Sequence, residues 1–311
     1  MAETKLFKGS DTYLLDTDLA QAFLVARVLG KPLLLEGEPG TGKTMLAIEY
    51  ATSRKLPLFQ FPATSKSRRE NLVTDYDHLQ RLTDSQTMIL NVEMARAGLE
   101  GKIDLCGRKV DQPDDYVRLG PLARSYQQPN SVLLIDEIDK APREFPNDLL
   151  FCLSQYEILV PETGRSIKTT RKDMPTVVIT SNREQALPDA FLGRCVYHFI
   201  QFPTPETMVR IVKMHYPDAT QGLVNGAVGV FYQLRQLGFE RSPSTRELLD
   251  WIGYLVDQSV SKDLDKLPGH QALLKTQNDI RKVRDIREKG VEGTLTEKKK
   301  RDKESERSRD Y

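Results

Sequence analysis

One stretch of eight residues constrains this chain more than any other. Residues 37–44 read Gly-Glu-Pro-Gly-Thr-Gly-Lys-Thr, which fits the phosphate-loop pattern of spaced glycines followed by Lys and Ser/Thr. The glycines let the backbone turn tightly, so that successive N–H groups face one point and bind a β-phosphate. Lys43 is expected to reach the β- and γ-phosphates, and the Thr44 hydroxyl to bind Mg²⁺. The predicted nucleotide-binding residues are Glu38, Pro39, Gly40, Thr41, Gly42, Lys43, Thr44 and Met45.

The residues on either side of this loop support the prediction. Leu33, Leu34 and Leu35 precede it and predict a short buried strand. Residues 44–50 follow it with apolar side chains at helical spacing, and the N-terminus of a helix favours a bound anion. A chance match to the pattern is the alternative, and the flanking strand and helix argue against it.

Composition narrows the class of protein. A chain of 311 residues leaves room for one large domain or two, and a net charge of +1 argues against a dominant electrostatic grip on nucleic acid. Cys106, Cys152 and Cys195 lie far apart without metal-ligand spacing, which is typical of reduced thiols. No apolar run follows the start of the chain, and none is long enough to span a bilayer. We expect a soluble, cytoplasmic protein that does not enter a membrane.

A second chemical landmark lies at residues 131–139. Four consecutive apolar residues predict a strand buried on both faces, as in a parallel sheet. The strand delivers Asp136 and Glu137 at its carboxyl end, where open α/β sheets bind ligands. Asp136 is expected to hold Mg²⁺, and Glu137 to orient and deprotonate the attacking water. A strand-end cap is the alternative for this pair, and Asp139 is assigned to a helix cap.

Further polar residues follow a buried strand at 176–182. Asn182 ends this strand and is placed to hydrogen-bond either the γ-phosphate or the attacking water. Residues 187–195 predict a short helix that ends at Arg194. Arg194 is either a surface salt-bridge residue or a finger that enters a neighbouring site and stabilises the transition-state charge. Arg183 competes with it for the second role.

The chain becomes helical from Thr204. We predict helices over residues 204–216, 223–237, 244–260 and 268–286. Ser244 and Glu247 fit a capping box at the start of the third of these. Arg246 lies in the first turn, which the helix dipole makes unfavourable for a cation, so a ligand anion or a buried carboxylate would explain it. Residues 287–311 are mostly charged and predict a disordered tail, with contact to an acidic partner as the alternative.

The remaining elements carry weaker signals. Predicted helices cover residues 11–30, 69–84 and 86–99, and predicted strands cover 56–61 and 197–202. Residues 101–115 indicate a loop, and residues 157–167 indicate a hairpin with its turn at 162–164. The basic turn at residues 64–69 is either a helix cap with solvated charges or a surface for a client or neighbouring subunit.

The ordered set of motifs is more specific than any one of them. It comprises GEPGTGKT (37–44), VLLIDEID (132–139), VVITSNRE (177–184), ALPDAFLGRC (186–195) and SPSTRELLDW (242–251). Together they resemble the AAA+ ATPases, and specifically the MoxR-like branch. Residues 187–203 are similar to the MoxR-like proteins that help to mature carbon-monoxide dehydrogenase. The resemblance covers roughly residues 11–260.

The resemblance implies an architecture and an assembly. It implies a three-layer α/β phosphate-loop domain with a five-stranded parallel sheet over residues 1–203. A small helical lid would follow over residues 204–286, and a charged tail over 287–311. It also implies a ring, usually a hexamer, with Mg-ATP bound between subunits.

The resemblance further assigns roles by position. Asn182 matches the first sensor, Arg194 the arginine finger and Arg246 the second sensor, which together with Lys43 and Glu137 gives the predicted catalytic set. The hairpin at 158–167 matches the one that the helix-2-insert clade places before the first sensor strand. Family members commonly work with a separate von Willebrand A-domain protein and act on a protein client.

The sequence is compatible with three classes of function. An ATP-hydrolysing remodeller or chaperone is the leading one. A nucleic-acid-stimulated or GTP-using motor subunit is the second, which the near-neutral charge disfavours. An ATP-binding switch or adaptor without hydrolysis is the third, which the presence of Asp136, Glu137 and Arg194 disfavours.

Overall fold

The structure is a computed structural model that describes residues 6–99, 101–160 and 163–307. Its internal contacts divide the chain into two compact units. The first contains Leu15–Glu36 and Lys43–Phe199, together with the N-terminal residues as far as Lys8. The second contains Gly9–Leu14, Gly37–Gly42 and the chain from Ile200 onward.

Helices and short strands alternate along the first part of the chain. The helices are α1 (Thr17–Leu29), α2 (Lys43–Arg54), α3 (Arg69–Leu72), α4 (His78–Arg96), α5 (Pro121–Tyr126), α6 (Phe145–Gln155) and α7 (Asp189–Leu192). The strands are β1 (Leu33–Gly37), β2 (Leu58–Pro62), β3 (Thr74–Tyr76), β4 (Val117–Leu119), β5 (Val132–Asp136), β6 (Glu157–Val160), β7 (Arg165–Lys168), β8 (Thr176–Ser181) and β9 (Val196–Ile200).

Five of these strands form the central parallel sheet, in the order β2-β5-β8-β1-β9. Leu133 of β5 lies beside Phe59 of β2 and Val177 of β8, and Leu34 of β1 lies beside Ile179. The five-stranded sheet with flanking helices confirms the predicted α/β phosphate-loop fold. The order also brings the carboxyl ends of β1, β5 and β8 to adjacent positions, because parallel strands end at the same edge of a sheet.

Burial on both faces of the sheet explains why its strands are nearly continuous apolar runs. One set of side chains packs with α5 and α6 in a common core, and it includes Leu34, Leu133, Ile135, Val177 and Ile179. The alternating set, Leu33, Leu35, Val132, Leu134 and Val178, is equally buried and points to the opposite face. Helix α2 packs against β2, β5 and β8.

An inserted segment separates β2 from β5, in the region where the sequence is least informative. Strands β3 and β4 pair in antiparallel fashion, and α4 lies between them in sequence. Within α4, all of which is described, Asp84 is the buried side chain, at 3% exposure. Its carboxylate accepts bonds from Arg108 (Nε, 2.7 Å), Tyr116 (Oη, 3.0 Å) and Gln80 (Nε2, 2.9 Å). A polar cluster, rather than an apolar stripe, therefore fixes this helix.

Two predictions for this region are wrong in detail. The helix predicted over residues 69–84 is interrupted by β3, and the predicted helix over 86–99 is the second part of α4.

The hairpin predicted at 157–167 is present as β6 and β7, with Ile158 beside Ile167. Glu162, part of its predicted turn, lies outside the described residues. The turn at residues 64–67 is closed by Ser67, whose hydroxyl accepts from the backbone N–H of Thr64 at 2.8 Å.

The second unit is mainly helical. Its helices are α8 (Pro205–His215), α9 (Gln221–Gln236), α10 (Thr245–Asp257) and α11 (Gln277–Arg307). Trp251 of α10 is fully buried at their centre, and its indole N–H donates to the Pro268 carbonyl at 2.6 Å. The capping box is present, because Glu247 Oε2 accepts from the backbone N–H of Ser244 at 2.6 Å. Across the part of the chain that the structure describes, we find no helix both long enough and apolar enough to pass through a bilayer.

The tail prediction is wrong for most of its length. Residues 287–307 continue α11, with a change of direction at Gly290 (φ 73°), instead of being disordered. Val291 is fully buried and Leu295 is 8% exposed, both within the core of the second unit. Together with Val283 and Ile286 earlier in the same helix, these side chains give a mostly charged segment an apolar stripe that packs in the core. Residues 308–311 lie outside the described residues.

We expect Asp84→Asn to loosen the inserted segment. The substitution removes the charge that Arg108 and Tyr116 both bond, and charge-assisted hydrogen bonds are the stronger ones. Amide exchange over residues 78–99 and 101–116 should become about tenfold faster or more. Glu93→Gln, on an exposed position of the same helix, is the matched control and should leave exchange unchanged.

The pH dependence of this effect has a definite sign. The hydrogen bond from Arg108 contributes most to lowering the pKa of Asp84, which falls to about 2 from 3.8. A lowered pKa in the folded state stabilises the segment above about pH 4, and that stabilisation disappears as pH falls through the folded pKa. Exchange protection in the wild type should therefore exceed that of Asp84→Asn by a constant factor from about pH 5 to 8, and the difference should shrink as pH falls from about 4 to about 2. A difference that grows on acidification would contradict this account.

Candidate functional site

The phosphate-loop residues 37–42 belong to the second unit. Gly40 and Gly42 have φ angles of +80° and +89°, in a region that only glycine adopts without strain. The carbonyl of Gly42 accepts a bond from the Tyr13 hydroxyl (3.2 Å), and the Thr41 hydroxyl donates to the Glu38 carbonyl (2.9 Å). These contacts hold the loop in a turn that a chain with side chains at 40 and 42 would resist.

Lys43 and Thr44 open α2 and belong to the first unit. Lys43 is only 6% exposed, which is rare for a lysine and requires polar or anionic surroundings. The Thr44 hydroxyl donates to Asp136 Oδ1 at 2.8 Å. The motif residue at the start of α2 is thus joined directly to the carboxylate at the end of β5, 92 residues later in the chain.

Thr180 on β8 connects the two adjacent carboxylate residues. Its hydroxyl donates to Asp136 Oδ1 at 2.6 Å and accepts from the backbone N–H of Glu137 at 2.8 Å. One side chain therefore fixes both the orientation of the Asp136 carboxylate and the backbone from which Glu137 projects. That backbone has a φ of +56°, which is uncommon for a residue other than glycine and needs such support.

Both carboxylate oxygens of Glu137 have partners. Asn182 Nδ2 donates to Oε1 at 3.0 Å, and Lys140 Nζ donates to Oε2 at 2.6 Å. The Lys140 hydrogen bond contributes most to holding the pKa of the Glu137 carboxyl below its ordinary value, with the bond from Asn182 and the charge of Lys43 adding to it. The side chain is therefore an oriented carboxylate that carries its charge at neutral pH.

Asp139 fixes the turn that carries Asn182. It is 2% exposed, and its Oδ2 accepts from the backbone N–H groups of Asn182 (3.0 Å) and Glu184 (2.9 Å). Between them lies Arg183, with a φ of +64°. Asp139 therefore orders the segment after β8, which is a different role from the helix cap assigned to it from the sequence.

The two predicted arginines lie on the surface of different units. Helix α7 ends at Leu192 and not at Arg194 as predicted; Arg194 lies two residues beyond it in the first unit, is exposed, and donates to the Ala190 carbonyl at 2.9 Å. Arg246 lies in the first turn of α10 in the second unit and is also exposed. Arg183, the competitor of Arg194, lies 3.7 Å from Glu36 and over the ring of Phe199.

The structure therefore brings together part of the predicted set. In the first unit, a connected group is formed by Lys43, Thr44, Asp136, Glu137 and Asn182. Met45 follows in α2 with 39% of its surface exposed, and Arg194 stands apart from the connected group. In the second unit lie Glu38, Pro39, Gly40, Thr41, Gly42 and Arg246.

Thr44 and Asp136 suit a magnesium ion. A hydroxyl and a carboxylate oxygen 2.8 Å apart are the hard oxygen ligands that Mg²⁺ prefers. The described residues contain no group of three or more His, Cys, Asp or Glu side chains that could form a metal cage. Mg²⁺ bound with a nucleotide needs none, because phosphate oxygens and water complete its coordination.

Three residues of this group escaped the sequence analysis: Thr180, Lys140 and Asp139 in its observed role. A threonine in an apolar strand predicts β-structure and nothing more, since its partner Asp136 is 44 residues away. A lysine three residues after a glutamate is a common pairing on any helical turn. The signal that could have identified Thr180 is its position one strand away from the carboxylates in the predicted parallel sheet.

Comparison with known proteins identifies the family of the chain. The family profile of the AAA domain (dynein-related subfamily) matches residues 32–195, which is more than half of the chain. The chain therefore belongs to the AAA domain family, and it is an ATP-hydrolysing enzyme of the α/β phosphate-loop class.

Two similar proteins carry more specific names. The gas vesicle ATPase GvpN of Haloferax mediterranei is 26% identical over 285 residues, covering 86% of this chain and 76% of that protein. The gas vesicle ATPase GvpN1 of Halobacterium salinarum is 24% identical over 214 residues, covering 67% of this chain and 57% of that protein. The chain thus spans less than two thirds of the length of the second relative.

We expect Thr180→Val to impair turnover more than nucleotide binding. Valine matches the shape of threonine but can neither donate to Asp136 nor accept from the N–H of Glu137. A misplaced catalytic carboxylate should lower kcat by about tenfold to hundredfold, while KM for ATP changes by less than about threefold. Steady-state ATP hydrolysis measures both constants.

Thr180→Ser is the matched control for this substitution, because it keeps the hydroxyl and loses only a methyl group. It should retain most of the wild-type kcat. If the valine variant kept the wild-type kcat, or if serine were as damaging as valine, the hydroxyl bridge would not be what positions the two carboxylates.

Proposed function

We propose that this protein couples Mg-dependent ATP hydrolysis to the remodelling of a protein client, as one subunit of a ring. The observation that carries the proposal is the hydrogen-bond chain from Thr44 through Asp136 and Thr180 to Glu137, which Asn182 completes. A non-hydrolysing switch has no need of an oriented, ionised carboxylate beside a magnesium ligand. This chain of hydrogen bonds therefore supports an active hydrolase.

The residues present divide the reaction among them. Glu137 accepts a proton from the attacking water, and its lowered pKa keeps it in the acceptor form at neutral pH. Asn182 holds one oxygen of that carboxylate in place. Thr44 and Asp136 would hold Mg²⁺, which when bound neutralises charge on the phosphate oxygens. Lys43 supplies a further positive charge for the β- and γ-phosphates.

Lys140 also contacts the carboxylate that we propose as the general base. It bonds the second oxygen of Glu137 at 2.6 Å, and both side chains are 40% exposed. The pair is accessible enough to exchange one partner for water. We propose that Glu137 retains Asn182 and turns its other oxygen to water during turnover.

Two arginines complete the proposed site. Arg194 is exposed, and in the described contacts its guanidinium bonds only locally, to the Ala190 carbonyl of the preceding helix. Such a guanidinium suits a finger that stabilises transition-state charge in an adjacent subunit. Arg246 is proposed as the second sensor, with its guanidinium as a ligand of the γ-phosphate.

The client side of the proposal rests on resemblance. The motif order is similar to that of the MoxR-like branch, and two relatives are named as gas vesicle ATPases. Both favour a chaperone-like ATPase. The hexameric ring, the cytoplasmic location and the action on a protein client are proposed from the motif resemblance alone. A separate von Willebrand A-domain partner is part of the same proposal, and nucleic acid is not.

We expect Glu137→Gln to trap the assembled ring. Glutamine keeps the shape and the Asn182 contact but cannot accept a proton, so Mg-ATP should remain bound. The solution mass should rise from that of a monomer without nucleotide to about six copies with Mg-ATP. Light scattering after size-exclusion chromatography measures this. An unchanged monomer would contradict autonomous ring assembly and would favour an adaptor that needs a partner.

Mixing two inactive variants tests whether Arg194 acts between subunits. Glu137→Gln subunits retain Arg194, and Arg194→Ala subunits retain Glu137. In a head-to-tail ring at equal mixing, about one interface in four should be complete, so activity should reappear at about a quarter of the wild-type value. Mixing Glu137→Gln with Arg183→Ala is the matched control. If Arg194→Ala alone kept its activity, while Arg183→Ala alone lost activity and regained it in this second mixture, the finger would be Arg183.

A further inference from the structure

Arg235 occupies an unusual position within the second unit. It lies near the end of α9, outside the matched AAA profile and outside every motif of the sequence. Its side chain is only 16% exposed, although an arginine is normally solvated. A charge removed from water to this degree requires partners on all sides.

The partners of Arg235 come from three separate parts of the chain. Its guanidinium lies 3.6 Å from the centre of the Phe202 ring, which is a close cation–π contact. Nη1 donates to the Pro243 carbonyl at 2.6 Å, and Nη2 lies 2.6 Å from Glu38 Oε2. The planar guanidinium suits this arrangement, since it stacks on a ring while donating in its own plane.

Two of these partners are at places of chemical interest. Glu38 is the second residue of the phosphate loop, and Pro243 precedes Ser244, the N-terminal cap of the helix that carries Arg246. The two segments also meet directly, because a Cβ atom at Gly40 would lie 2.8 Å from the Cβ of Ser244. The loop and the start of α10 are therefore packed together and are bonded by one side chain.

We infer that Arg235 is a positioning residue for nucleotide binding, which rests on the proposed function. It holds the phosphate loop through Glu38 and the entry to α10 through Pro243, so that the backbone N–H groups of the loop are ordered before the nucleotide arrives. We call these two contacts of Arg235, to Glu38 and to Pro243, the clamp. Without the clamp, the nucleotide itself would have to order the loop, at a cost in affinity. Arg235 also neutralises Glu38, whose negative charge would otherwise repel the phosphates.

The inference is tested by a double-mutant cycle on nucleotide affinity. The probe is a fluorescent ADP analogue with Mg²⁺, because ADP engages the phosphate loop without requiring hydrolysis. Glu38→Ala and Arg235→Ala should each weaken binding by about tenfold, and the double variant by no more than about the larger single effect. Independent effects that multiply in the double variant would overturn the clamp.

The variants are chosen so that a folding defect cannot imitate the result. Arg235→Ala also loses its packing on Phe202 and can unfold the helical unit. Glu38 is 55% exposed, so Glu38→Ala and Glu38→Gln should keep the thermal unfolding temperature of the wild type. Unchanged affinity in both Glu38 variants would reduce Arg235 to a structural residue and refute the inference.

Arg241→Ala is the matched control. Arg241 forms an ion pair of the same type within the same unit, 3.0 Å from Glu247, but does not contact the phosphate loop. Its removal should change affinity by less than about twofold. If the wild type itself bound no nucleotide, the proposed function would fail together with this inference. Wild-type binding and hydrolysis without coupling between Glu38 and Arg235 would refute this inference alone.

Discussion

The chemistry of the first unit depends on one oxygen atom. Asp136 Oδ1 accepts two hydroxyl hydrogen bonds, from Thr44 at the start of α2 and from Thr180 at the end of β8. Three elements that are distant in sequence are therefore fixed to one another at the carboxyl edge of the sheet. A half-buried carboxylate at the end of a buried strand is stabilised by these hydrogen bonds, because an unpaired charge that is partly removed from water is costly. The same bonds that satisfy Asp136 also set the direction of Glu137.

Strand burial made the central part of this fold predictable. The runs at residues 33–35, 132–135 and 177–179 are apolar on both faces, and such runs are typical of parallel sheets that helices cover on both sides. A phosphate loop follows the first of these runs, and a carboxylate pair follows the second. The two motifs indicate which edge of the sheet carries the functional site. The fold class, the five strands and the helical second part followed from these signals.

The contacts that complete the site could not be predicted from the sequence, for a physical reason. Thr180, Lys140 and Asp139 act through hydrogen bonds to residues whose proximity is created only by the folded sheet. Asp84 is a similar case, since a buried aspartate in a helix reads as a break in the apolar pattern until Arg108 and Tyr116 are placed beside it. The prediction of disorder for residues 287–311 was wrong for a different reason. The charge density of this segment suggested disorder, but Val291 and Leu295 are buried in the core and hold the segment in a helix.

Arg246 shows how structure can decide between two explanations of one sequence feature. A cation in the first turn of a helix is disfavoured by about 0.3–1 kcal/mol, so either a buried carboxylate or a ligand anion should compensate. The nearest acidic candidate in its own turn is Glu247, but that carboxylate is already engaged by the Ser244 N–H and by Arg241. Arg246 itself is exposed, and the contacts of the described residues include no ion pair for it. The second-sensor role proposed for Arg246 would supply a bound anion at this position. Since Arg235 packs the same helix start against the phosphate loop, a phosphate is the anion that this proposal predicts there.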